Sequence, residues 1–195
     1  AVINCAAYTA VDKAESEPDT AFALNAVAPE ILALETFARD IRLLHVSTDY
    51  VFDGSRAGPY AESDPVAPLG VYGASKEAGE RGVRAANPDH IILRTAWVVS
   101  PWGNNFVKTM LRLGAERDQL RVVADQHGCP TSAIDIADAL LAILVKGGPA
   151  GTYHFVNQGE ASWCDLARFV VHRAGLGAEV EAIAKFAAEA VKLGD

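Results

Sequence analysis

Residues 43 to 54 read Leu43-Leu44-His45-Val46-Ser47-Thr48-Asp49-Tyr50-Val51-Phe52-Asp53-Gly54 (LLHVSTDYVFDG). The first half is a short apolar run of the kind that forms a strand buried on both faces of a parallel sheet. The second half turns polar at the point where such a strand would end. Helical patterns flank it. Pro18 to Ala38 carries an apolar stripe at Phe22, Val27, Ile31, Leu34 and Phe37, and Val71 to Ala86 reads as the next helix.

The same alternation extends outward. Val2 to Ala7 reads as a strand and its loop, Ile91 to Thr95 as a third strand, and Asn105 to Arg117 as a third helix. Repeated β-α-β-α order argues for the doubly wound α/β class, with a parallel sheet covered on both faces. Further on come a strand at Leu120 to Ala124, a helix at Ser132 to Val145, a strand at Gly151 to Val156 and a helix at Ser162 to Arg173. Ser132 and Ser162 are placed as N-caps, and Asp165 completes a capping-box pattern. Ala178 to Asp195 has an Ala/Glu-rich helical pattern, and the turn Lys146 to Gly151 (KGGPAG) is the expected subdomain seam.

Composition narrows the function classes. The chain has 195 residues, half of them hydrophobic, and a net charge of −8 without a Lys/Arg cluster, which disfavours nucleic acid as a partner. The apolar run Ala139 to Val145 falls well short of the ~20 residues of a membrane span. The opening residues show no secretory signal pattern. Cys5, Cys129 and Cys164 are far apart and lack a CxxC spacing, so a reduced, cytoplasmic protein is expected. His127, His154 and His172 have no ligand spacing, and no metal site is assigned. Asp12, Lys13 and Glu15 read as a solvated helix face. A nucleophilic Cys129 is disfavoured, since only His127 stands near it as a base.

In open α/β sheets, ligands bind at the carboxyl ends of the strands. Ser47 to Gly54 leaves one such end. The loop Pro65 to Gly70 delivers the helix that starts with Tyr72 and Lys76, four residues apart and therefore on one face. A cation beside a phenol lowers its pKa from ~10, so the tyrosine can exchange a proton with a carbonyl or alcohol oxygen near neutral pH. Thr48 would add a hydrogen bond to that oxygen. A Tyr-x-x-x-Lys spacing alone recurs by chance; its combination with a polar strand exit in an α/β pattern is more specific. Gly73 and Gly79 are expected to permit close helix packing.

Six segments together resemble the dTDP-4-dehydrorhamnose reductase family, within the extended short-chain dehydrogenase/reductase superfamily. They are NCAAYTAVDKAE (4–15), STDYVFDG (47–54), PLGVYGASKEAGE (68–80), RTAWV (94–98), NNFVKTMLRL (104–113) and DQHGCPT (125–131). The Tyr-Lys motif is common to the superfamily; the other five carry the family assignment. The resemblance covers about Val2 to Val171.

It implies a Rossmann-like sheet, with residues 1–130 as a partial dinucleotide-binding domain. Residues 131–195 would be mainly a small substrate-binding subdomain, interleaved with the first. It also implies NADPH- or NADH-dependent reduction of dTDP-4-dehydro-6-deoxy-L-mannose to dTDP-L-rhamnose, with Mg2+ as a further candidate cofactor. Tyr72 would donate the proton, with Lys76 and Thr48 completing the catalytic set. Ala6, Ala7, Tyr8, Thr9, Val46 and Ser47, with Tyr72 and Lys76, match cofactor positions. Thr48, Asp49, Tyr50, Tyr72, Trp97, Asn104, Asn105 and Gln126 match sugar-nucleotide positions. Trp97 and Tyr50 also admit an ordinary core reading, and Phe52 is expected in the core. The partner would be the dTDP-sugar, in a monomer or homodimer with no membrane or nucleic acid. Another sugar-nucleotide reductase or epimerase, or a non-catalytic subunit keeping the fold, are the alternatives.

The chain departs from the family at both ends. No G-x-G-x-x-G or G-x-x-G follows an N-terminal strand, so the pyrophosphate cradle is not found. The N-terminal βαβ part is expected to be absent, roughly 50–60 residues at ~30 per unit. The chain by itself is then expected to be weak or inactive.

Overall fold

The structure is a computed structural model that describes residues 1–56 and 58–185. In chain order its elements are β1 (Val2–Asn4), α1 (Val11–Ala14), α2 (Pro18–Phe22), a π-helical turn (Ala23–Val27) and α3 (Ala28–Phe37). There follow β2 (Leu43–Thr48), a 3-10 turn (Asp49–Val51), α4 (Val71–Ala86), β3 (His90–Thr95), β4 (Val98–Val99), α5 (Phe106–Glu116) and β5 (Gln119–Val123). The chain then forms β6 (His127–Gly128), β7 (Thr131–Ser132), α6 (Ala133–Lys146), β8 (Gly151–His154), β9 (Ala161–Ser162), α7 (Trp163–Arg173) and β10 (Glu179–Ile183).

The chain folds as two compact units. One comprises Ala1–Thr95 and Ala137–Phe155, the other Ala96–Ile136 and the chain from Val156. KGGPAG is thus a loop inside the first unit rather than the seam. The divisions fall after Thr95, within α6 and after Phe155.

The first unit holds a parallel four-stranded sheet in the order β1-β2-β3-β8. β2 is its centre: Leu43 pairs with His90, and the register runs on to Thr48 opposite Thr95. Leu43 and Leu44 point to opposite faces and are both fully buried, as a strand covered on both sides requires. Ala33, Leu43, Val83 and Ile92 form the core between the helices and the sheet.

The helix from Pro18 to Phe37 does not bury the apolar stripe expected of it. Phe22, Val27, Ile31, Leu34 and Phe37 are 38–55 % exposed, whereas Ala21, Asn25, Pro29, Ala33 and Thr36 are buried. The cause is the partner. α4 presents Gly79 and Gly82, and a Cβ at Gly79 would lie 2.0 Å from the Asn25 carbonyl oxygen. Two backbones that close admit only small side chains between them, so the small face wins over the large one.

Polar and charged groups are also buried in this unit, among them His45, Lys76, Glu80 and Arg94. Glu80 is fully buried and receives Arg94 in a fork: Nε to Oε1 at 2.9 Å and Nη2 to Oε2 at 2.7 Å. Arg84 adds a third bond at 3.0 Å. Burial is the largest single influence and pushes the Glu80 pKa up, but Arg94, Ser47 and Arg84 together outweigh it and hold the carboxylate below its usual range. The Arg94 guanidinium lies 5.1 Å from the centre of the Phe52 ring. Phe52 is buried, as expected, stacked on Tyr60 at 4.3 Å.

The second unit is built on a parallel pair, β5 with β10, covered by α5 and α7. Met110, Leu120, Val122, Cys164, Ala167, Val170 and Val171 form its core. The expected helix at Ala178 to Asp195 is corrected here: Glu179–Ile183 is a strand, paired residue by residue with Gln119–Val123. Its first four residues, Glu-Val-Glu-Ala, alternate with period 2, which the Ala/Glu-rich composition concealed. Residues 186–195 lie outside the described residues. α7 begins with the expected capping box: Ser162 Oγ accepts the Asp165 N–H at 3.0 Å, and Asp165 accepts the Ser162 N–H at 3.1 Å.

Two outcomes test this packing. Gly79→Ala should cost about 1–3 kcal/mol of stability, because the new Cβ meets backbone that cannot yield. Gly82→Ala, which meets only the Glu30 side chain, should cost less in the same urea titration. His45, fully buried in β2, has its pKa lowered from 6.5 to about 3 by burial and by the Lys76 charge. The unfolded chain therefore takes up this proton first as pH falls. Stability is present above 6.5 and lost progressively below it, by about 2 kcal/mol at pH 5. His45→Asn should flatten that dependence; an unchanged slope between pH 7 and 5 would exclude His45 as its source.

Candidate active site

The carboxyl end of β2 and the first turn of α4 come together in the first unit. Thr48 ends β2 and caps the 3-10 turn, its Oγ1 accepting the Tyr50 N–H at 3.2 Å and donating to Asp49 Oδ1 at 3.1 Å. α4 then returns against that turn. Gly73 lets it, since a Cβ there would lie 2.2 Å from the Tyr50 carbonyl oxygen. The Tyr72 ring consequently meets Tyr50 edge-on, with centroids 5.5 Å apart, and its phenol is close enough to the Thr48 hydroxyl for that hydroxyl to act on its pKa. Both predicted helix-packing glycines thus do what the sequence suggested.

Lys76, one turn further, is almost completely buried, and its Nζ donates to the Val46 carbonyl at 2.8 Å. Burial lowers its pKa to about 8, against the opposing pull of Glu80 and Cys5. The expectation that the phenol of Tyr72 is depressed is not met. Burial raises it, Asp49 and Tyr50 raise it further, and only the Thr48 hydroxyl opposes. The ammonium is engaged with the strand backbone rather than with the phenol. Asp49 is itself raised by burial, partly offset by the bond from Thr48.

The segment after β1 approaches the same helix through Asn25, a fully buried side chain that sequence reading missed. Its Oδ1 accepts the Tyr8 N–H at 2.8 Å; its Nδ2 donates to the Tyr8 carbonyl and to Ser75 Oγ, each at 3.0 Å. Ser75 Oγ in turn donates to the Tyr72 carbonyl at 2.8 Å. One amide thus ties the Tyr8 backbone to the turn that carries Tyr72 and Lys76. It sits in the π-helical turn, a geometry that often marks functional positions. A polar residue among small buried ones was the only available signal. The Tyr8 phenol donates to Glu17 at 2.8 Å, while Ala6 and Thr9 are exposed. Cys5, Ala6 and Ala7 line a cavity of about 500 Å3 whose other wall is Leu24, Ala28 and Leu32. Glu15, expected on a solvated face, accepts the Val71 N–H at 2.8 Å and places a negative charge at the start of α4.

The second unit holds the remaining candidates. Trp97 has φ 47°, the left-handed region that bulky residues rarely occupy, and its ring stacks on Trp163 at 3.5 Å and 8°. Gly128 is required beside it: a Cβ there would come within 2.5 Å of the ring. Trp163 and Phe106, 4.5 Å apart, complete an aromatic group of which only Trp97 was foreseen. Asn105 spends its side chain locally, accepting the Lys108 N–H at 3.1 Å as N-cap of α5 and donating to the Ser100 carbonyl at 2.6 Å. Asn104 is exposed and Gln126 half-buried.

Comparison with known proteins identifies the family. The sequence model of the RmlD substrate binding domain matches residues 1–192. The dTDP-4-dehydrorhamnose reductase of Sinorhizobium fredii is 50 % identical over 175 residues, covering 87 % of this chain and 59 % of that protein. Crystal structures of such reductases are also similar. That from Clostridium acetobutylicum is 43 % identical with a TM-score of 0.91, covering 94 % of this chain and 65 % of its own. That from Bacillus anthracis, in complex with NADP, is 42 % identical with a TM-score of 0.89 over the same shares. The chain spans about three fifths of the length of the curated relatives. With the family's model matched almost from end to end and its fold reproduced, the chain belongs to the RmlD substrate binding domain family, that of the dTDP-4-dehydrorhamnose reductases.

Proposed function

We propose that the protein containing this chain reduces dTDP-4-dehydro-6-deoxy-L-mannose to dTDP-L-rhamnose with NADPH or NADH. The observation that carries this reading is the Tyr72 phenol beside Thr48 at the carboxyl edge of the sheet, with buried Lys76 one helical turn behind, in a chain of this family. The residues present suit a nicotinamide cofactor. The small residues Ala6 and Ala7 border an open cavity after β1, and the Lys76 charge is felt at Cys5, which lines the same cavity.

When bound, the cofactor supplies the hydride. The chain's own task is the proton. A phenol whose pKa is raised stays protonated at neutral pH, which is the state a donor needs in the direction of reduction. Thr48, able to donate and accept, orients the oxygen that receives it. The phenolate left on Tyr72 is a new buried anion, and Lys76 is the nearest cation along its helix face to offset it. Asp49 and Tyr50 are assigned to the sugar, as are Trp97, Asn104, Asn105 and Gln126 of the second unit, with the Trp97–Trp163 stack offering an apolar surface. Val46, Ser47, Tyr8 and Thr9 are assigned to the cofactor side. Mg2+ receives no residues: among the described residues no three His, Cys, Asp or Glu side chains group to hold a metal. Among them also, no helix is long and apolar enough to cross a membrane; a cytoplasmic enzyme is proposed.

The full-length protein should oxidise NADPH when given dTDP-4-dehydro-6-deoxy-L-mannose and not without it. Tyr72→Phe should lower kcat by roughly 10²–10⁴-fold while leaving NADPH binding intact. Unchanged turnover removes Tyr72 from the mechanism. Because Lys76 titrates at about 8, kcat/KM should fall as pH rises through that value, and Lys76→Arg should move the fall to higher pH. A profile identical in both proteins would assign the titration to another group.

A further inference from the structure

His45 lies fully buried in the middle of β2, the central run of the sheet, where packing calls for no polar ring. Its Nδ1 is 3.1 Å from Asn4 Nδ2. The Asn4 amide is fixed in that orientation, because its Oδ1 accepts the Ala6 N–H at 3.1 Å. Asn4 therefore donates to the imidazole, Nδ1 is the acceptor, and the ring proton belongs on Nε2. Nε2 has no hydrogen-bond partner among the described residues. A buried N–H without an acceptor is destabilising, and a hydrocarbon of similar shape would avoid the loss. What the imidazole offers and a hydrocarbon does not is one acceptor, aimed at Asn4. A line of hydrogen bonds thus runs from the interior of β2 through Asn4 to Ala6, where the chain leaves β1 and borders the cavity with Cys5 and Ala7.

We propose that His45 is a positioning residue that holds the Cys5–Ala7 loop, through Asn4, in the conformation that receives the nicotinamide cofactor. The imidazole touches neither cofactor nor substrate in this role. It acts on the loop backbone from behind, at one end, as Asn25 does at Tyr8 on the other. The proposal rests on the cofactor assignment made above, and its test separates the two.

In the full-length protein, His45→Asn keeps a carbonyl oxygen near the position of Nδ1, whereas His45→Gln moves the polar end toward Nε2. Two readouts apply: the dissociation constant of NADPH, and amide hydrogen exchange at Ala6 in the cofactor-free protein. The Asn variant should stay within roughly threefold of wild type in both. The Gln variant should bind NADPH about tenfold more weakly and exchange the Ala6 amide about tenfold faster, the effect of one lost hydrogen bond. Asn4→Ala cuts the same link from its less buried end and should reproduce the Gln phenotype, even if a substitution at His45 prevents folding. Equal losses in the Asn and Gln variants, or an Asn4→Ala protein with wild-type exchange and binding, overturn the proposal. If the wild-type protein fails to bind NADPH, the cofactor reading falls and the proposal with it, whatever the exchange at Ala6.

Discussion

Almost everything in the first unit depends on how closely α4 lies against its neighbours. At Gly73 the helix comes within van der Waals range of the Tyr50 carbonyl, and at Gly79 of the Asn25 carbonyl, with no room for a Cβ at either place. These two contacts fix α4 along its length against the exit of β2 and against the π-helical turn. They set the distance between Tyr72 and Thr48, and they bring Asn25 to Ser75. They also decide which face of the preceding helix is buried. Side-chain volume, usually the determinant of helix packing, is here subordinate to backbone approach.

The second constraint is electrostatic. A helix packed this tightly carries Lys76 and Glu80 into the interior, where neither charge is tolerated alone. Glu80 is answered by Arg94 from β3, and Lys76 by the Val46 carbonyl of β2. The helix is thereby tied to two adjacent strands at the level just below the candidate site. Low polarity there has a chemical consequence. It lowers the affinity of Lys76 for its proton and raises that of Tyr72 and Asp49, so the groups above the sheet are held nearer to neutrality than they would be in water. Burial sets the direction of these shifts first, and the neighbouring groups modify it.

Much of the architecture was legible because it rests on patterns with a physical period. LLHVST reads as a buried strand, and it is one; the Ser162 capping box and the packing glycines of α4 were equally open to inspection. The placement of Tyr72, Lys76 and Thr48 around the end of β2 was legible from the motif, while the direction of the Tyr72 shift was not. The site was not legible where the role depends on a partner distant in sequence. Asn25 is an unremarked residue in a helical pattern until Tyr8 and Ser75 surround it. Glu15 looks solvated until Val71 presents its N–H, and Trp163 looks like any aromatic after a cap until Trp97 lies flat on it.

By itself the sequence determined the alternation of strands and helices, the buried centre of the sheet and the residue types able to move a proton, since each follows from local periodicity or side-chain chemistry. Tertiary structure decided the rest. It chose the small face of the Pro18–Phe37 helix over the large one, because α4 approaches through glycine. It made Glu179–Ile183 a strand, because an open edge at β5 was available to pair with it. It set the pKa of Tyr72 above its usual value rather than below, because burial acts on the phenol while the Lys76 ammonium is held by a backbone carbonyl. A spacing of four residues states that two groups can meet; only the packed protein states what each of them meets first.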